Sequence, residues 1–258
     1  MDDYRTMNAR TATAGTMDAS VDAGLRAYMI RVYNLMALGL GITALFAAGT
    51  VMLATTTDPS AAAAQLPNGR MLTDIGVALY GSPLRWVIML APLALVFFMG
   101  FRIEKVQPST AQMIFWGFAA LMGVSMSSIF LVYTPGSIVQ TFLITATAFG
   151  ALSLYGYTTK RDLTAMGSFL FMGLIGVVLA AIVNLFLQSS ALQFAISAIG
   201  VLVFAGLTAY DTQKIKSMYY ALNGEAALGR AAVMAALSLY LDFINMFQFL
   251  LYFLGNRE

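Results

Sequence analysis

The sequence predicts an all-α integral membrane protein whose helices cross the bilayer seven times. Composition is the first observation behind this, since 60% of the 258 residues are hydrophobic and only 10% are charged, against ~25% charged in an average soluble domain. The second is that the apolar residues gather into seven long stretches. A helix needs roughly 20 such residues to cross ~30 Å of hydrocarbon, and helices satisfy their own backbone polar groups there. The third is that charge is almost absent from these stretches: ten of the 12 acidic residues lie in the tail, the loops or the chain end.

In chain order, residues 1–26 are rich in Asp, Thr, Ala and Gly, too polar for a bilayer or a core, and are expected to form a flexible cytoplasmic tail. Residues 27–258 form one transmembrane domain. Its first apolar run starts late and exceeds the roughly 7–15 residues of a signal-peptide h-region, so it is a true span. The expected spans are residues 27–55, 84–101, 110–133, 137–157, 166–187, 191–217 and 231–254. One long loop, residues 56–83, separates the first two, with Asp58-Pro59 and Pro67-Asn68-Gly69 as turn signals. Gly39, Gly41, Gly123, Gly173 and Gly176 fit close helix contacts in lipid. The 17 methionines show no cofactor pattern and read as apolar filler.

Charge sets the orientation and excludes several functions. With 14 basic and 12 acidic residues the net charge is +2, which offers no nucleic-acid surface. With no cysteine and no histidine, there are no disulfides, thiolate or imidazole metal sites, or histidine acid–base chemistry. No cofactor is expected. A cytoplasmic amino terminus places Arg5, Arg10, Arg26, Arg31, Arg102, Lys105, Lys160, Arg161, Lys214, Lys216 and Arg230 inside, 11 of the 14 bases, and leaves Arg70, Arg85 and Arg257 outside. The carboxyl terminus is then outside.

Two acids break the pattern. Asp211 lies near the cytoplasmic end of the sixth span and Asp242 in the middle of the seventh. An ionised Asp at mid-bilayer costs ~2.5–3.5 kcal/mol on the lenient scale, so such residues face a bundle interior and mark proton or ion paths. The two spans are consecutive and antiparallel. At ~1.5 Å per residue the acids differ in depth by ~7 Å, a mismatch for tilt or a shifted helix end to absorb. Ser238, Asp242 and Asn245 share one helix face at i−4 and i+3. Two carboxylates in contact in an apolar bundle cannot both ionise cheaply, so the pair is expected to share a proton and titrate as a unit near physiological pH. Arg102, at the end of the second span, is either a partner favouring ionised carboxylate or an ordinary interfacial arginine.

The segments Ala209-Tyr210-Asp211-Thr212-Gln213, followed by Ile215-Lys216, and 236–245, Ala-Leu-Ser-Leu-Tyr-Leu-Asp-Phe-Ile-Asn, resemble the Bax inhibitor-1 (transmembrane Bax-inhibitor-motif) family in its bacterial form. With the seven-span pattern, the resemblance covers about residues 27–255. It implies two groups of three helices around a central carboxy-terminal helix. It further implies a pH-sensitive leak of calcium or other cations, with protons the gating ion and an aspartate pair corresponding to Asp211 and Asp242. Tyr210, Ser238 and Asn245 would support the pair, and Met99-Gly100-Phe101-Arg102 resembles the place of a functional arginine. The implied home is the bacterial inner membrane, and some members are linked to membrane-protease regulation.

An intramembrane aspartyl protease is the enzyme alternative, since Tyr210-Asp211 and Asp242 resemble the presenilin-like acid pair. Residues 239–241 are Leu-Tyr-Leu, without the glycine that admits a substrate backbone, and no Pro-Ala-Leu segment follows. The seventh span has no lysine for a retinal Schiff base. A proton-coupled transporter and a non-conducting regulator of a membrane protease stay open. A stable calcium site takes about six to eight oxygens, so two carboxylates with Ser238 and Asn245 suit transient passage better than storage.

Overall fold

The computed structural model describes residues 23–102 and 105–257 with their side chains, and residues 3–22 by backbone alone. Among them, seven helices are long and apolar enough to cross a membrane: Ala23–Ala54 within the helix Asp3–Ala54, Leu84–Arg102, Pro108–Val132, Pro135–Thr158, Thr164–Leu187, Ser190–Ala221 and Glu225–Leu254, hereafter spans one to seven. The flexible tail expected over residues 1–26 rests mainly on residues 1–22, whose side chains lie outside the description. From Ala23 the chain belongs to span one, and Leu25 is already buried.

The spans run longer than their apolar cores because local capping, not hydropathy, ends a helix. Proline takes the first position of spans three and four, where its missing N–H costs nothing. The Thr134 hydroxyl accepts from the Ser137 N–H to start span four. Span five stops at Gln188, in the left-handed region at φ 49°, and Ser189 then caps span six through the Leu192 N–H. Span seven starts at Glu225, six residues before its apolar run.

Span three is not the continuous helix that residues 110–133 suggest. It divides at Ser127-Ser128 into Pro108–Met126 and Ile129–Val132. The Ser127 hydroxyl donates to the Val124 carbonyl at 2.6 Å, and the turn tightens to i→i−3 bonds, Ser127 N–H to Val124 O and Leu131 N–H to Ser128 O. A serine that offers the backbone a competing partner loosens a helix in this way.

The long loop is a small cap. Strands β1 (Thr55–Thr56), β2 (Ala64–Gln65) and β3 (Met71–Leu72) form an antiparallel sheet in the order β1-β3-β2. The turn expected at Pro67-Asn68-Gly69 joins β2 to β3, and Gly69 supplies its positive φ of 83°. The Asn68 amide donates to the Leu131 carbonyl, and the Tyr80 and Ser127 hydroxyls meet at 2.8 Å, so the cap is fastened to the break in span three. The chain end lies on this face as well, with Arg257 over the rings of Tyr133 and Tyr252.

Spans one to three form one group, held together through span three, and spans four to six form another, held through span six. Span seven packs between them against spans one, three, four and six. In its most apolar window 67% of the residues are buried, against 11% in spans two and five, so span seven is the core and those two are the periphery. Tyr240 anchors the centre. Its ring stands edge-on to Phe115 and Phe118, and its hydroxyl meets that of Thr43 at 2.6 Å. Thr43 reaches the Ala119 carbonyl at 2.9 Å, so one hydroxyl chain ties spans seven, one and three. Interhelical bonds of this kind contribute about 1 kcal/mol in a membrane.

Candidate functional site

From Ala231 to Phe247 span seven is buried all round but for one face, which continues to Gln248 and Tyr252. Met234, Ser238, Leu241, Asn245, Gln248 and Tyr252 are partly or fully exposed at spacings of three and four, one face of the helix. Apart from Met234, these residues line a cavity of about 1200 Å³. Spans two, three, five and six supply the other walls, through residues such as Pro92, Met126, Val177 and Phe204. The cavity lies where peripheral spans two and five stand apart, each packing on its own group rather than on the core. One end holds Asp211 and Lys214, and the other reaches Tyr133 and Tyr252 beside the chain end.

Both expected acids line this cavity, and their carboxyls are near enough to interact electrostatically. They are not level. The Ser238 hydroxyl donates to Asp211 Oδ2 at 2.5 Å, so the residue facing Asp211 across the helix contact is Ser238, and Asp242 lies one helical turn further along. The depth mismatch visible in the sequence is thus retained in the fold, with Ser238 filling the step. The hydrogen bond Asp211 receives comes from Ser238 and not from Asp242. Asp242 is 5% exposed, and its Oδ2 has no hydrogen-bond partner among the described residues. A buried polar oxygen without a partner is costly, more so in a low-dielectric interior, and this one sits on a cavity wall large enough for water or an ion.

Of the supporting residues, Ser238, Asn245 and Tyr210 line the cavity and Arg102 does not. Asn245 spends its amide N–H on the Leu241 carbonyl, leaving its oxygen as the available acceptor. The Tyr210 ring packs on Gly167 of span five so closely that any Cβ at 167 would collide with it. Arg102 is exposed at the end of span two. The cation acting on Asp211 is Lys214, three residues along the same helix. Lys214 and Gln248 are among the polar cavity residues that sequence reading does not assign to the site. Each stands three residues from a named one, on the same face, and that spacing is the signal that could have found them.

A family model described as Inhibitor of apoptosis-promoting Bax1 matches residues 25–258. An uncharacterized protein of Caulobacter vibrioides is 47% identical over 261 residues, covering 100% of both chains. The uncharacterized protein RP147 of Rickettsia prowazekii is 48% identical over 251 residues, 96% of this chain and 98% of that one. Inner membrane protein YbhL of Escherichia coli K12 is 46% identical over 238 residues, 92% of this chain and 94% of that one.

Proposed function

Because this chain belongs to the Bax inhibitor-1 family, we propose that its central cavity is a pH-sensitive path for cations, calcium the first to test, gated by Asp211 and Asp242. The observation that carries this reading is that the two in-membrane acids both line one cavity rather than a closed core. Oxygens from both carboxylates, Ser238 and Asn245 line the way for a cation. They are too few for a stable calcium site of about six to eight ligands, which favours passage over storage.

The gate acts through charge. With one proton on the pair, only one carboxyl is charged and the Ser238–Asp211 hydrogen bond holds span six to span seven. Losing that proton sets like charges against each other across that contact and loosens it. The chain resides in the inner membrane, as the name of the Escherichia coli relative suggests, with its amino terminus in the cytoplasm.

The test is ion flux in proteoliposomes of the purified full chain under a calcium gradient. The rate should change between about pH 6 and 8 if the two acids gate it as a coupled pair. Flux at the empty-liposome level throughout would overturn the reading in favour of a non-conducting regulator, for which a stable complex with a membrane protease is the assay.

A further inference from the structure

A second cavity, of about 710 Å³, lies between the loop cap and spans two and three. Its construction is amphipathic. Leu79, Ile88, Val124 and Leu131 make an apolar slot, while Asn68 and Tyr80 turn their polar ends to span three and are satisfied there. At the mouth stand Arg85 and Trp86, in the first turn of span two. The guanidinium lies 5.1 Å from the Trp86 ring centroid, and among the described residues no carboxylate pairs with it. Val87 and Leu90 are exposed beside it, so the mouth faces lipid at the level where the span enters the membrane. Aromatic rings and arginines at that depth meet lipid headgroups.

We propose that this cavity binds one anionic phospholipid, its phosphate on the Arg85 guanidinium and one acyl chain in the apolar slot. The unpaired cation supplies charge complementarity, and arginine's fork suits phosphate oxygens. Met89, Ser125 and Ser128 line both this cavity and the central one, so a bound acyl chain lies against the wall of the cation path. The site does not depend on that path conducting.

The test uses the full chain in neutral detergent with Trp116→Phe, which leaves Trp86 as the single tryptophan. Phosphatidylglycerol and phosphatidylcholine with brominated acyl chains are titrated as quenchers. Half-quenching should come at about tenfold lower phosphatidylglycerol, as one charge-assisted hydrogen bond gives. Arg85→Gln, an exposed change that leaves melting unaltered, should bring the two lipids together, and Arg257→Gln should keep them apart. A native mass spectrum should show one retained phosphatidylglycerol, lost in Arg85→Gln. Equal half-points, a preference that survives Arg85→Gln, or displacement of the lipid by glycerol phosphate alone would each overturn the proposal.

Discussion

Asp242 Oδ2, buried with no hydrogen-bond partner among the described residues, and Asp211, held by Ser238, place two unlike carboxyls on one cavity wall. If they titrate as a unit, Asp211→Asn and Asp242→Asn should each remove most of the pH dependence of flux, and the double variant should resemble the singles. Additive losses in the double, measured by the same proteoliposome assay, would show two independent acids. The acids were legible because a charge inside an apolar run is conspicuous, and Ser238 and Asn245 because they share a helix face with Asp242. Lys214 was hidden for the opposite reason: a lysine near a span end looks like any other basic residue of that side. Arg102 stayed open between two readings through the same ambiguity, since position along a span says nothing about direction around it.

At the scale of the elements, hydropathy located all seven spans, while boundaries shifted wherever caps or turns decided them. The break in span three was not visible, because Ser127 and Ser128 are apolar enough in context to be averaged away, and the bond from Tyr80 is long-range. Among the five glycines expected at close contacts, Gly39, Gly123 and Gly173 meet another helix, while Gly41 and Gly176 face open space. Gly156 makes a contact of the same kind, since any Cβ there would strike the Ala209 carbonyl of span six, next to the segment that carries Asp211. Gly156→Leu forces backbone apart and should cost ~1–3 kcal/mol or more, as overpacking does. Gly176→Leu should leave stability nearly unchanged. Thermal melting of both variants in detergent separates the two cases, and equal melting points would remove the close-packing account.

For the whole molecule, the number of crossings and the all-helical class followed from bilayer thickness, which leaves the chain few alternatives. The arrangement around span seven came through family resemblance, since no periodicity in a helix buried nearly all round tells which neighbour it faces. Seven crossings put the chain end and the loop cap on one face. With 11 of 14 bases on the other, a reporter fused after Glu258 should report the outside. A cytoplasmic signal would reverse the orientation or remove a crossing. The central position of span seven has a consequence for biosynthesis. The helix that both groups grip follows the other six in the chain, so neither group can close its inner face before it is made. The first six spans insert ahead of it, with the grooves meant for Tyr240 and its neighbours still open. Assembly of this bundle therefore waits for its seventh span, and a chain cut short before that span lacks its core rather than its edge.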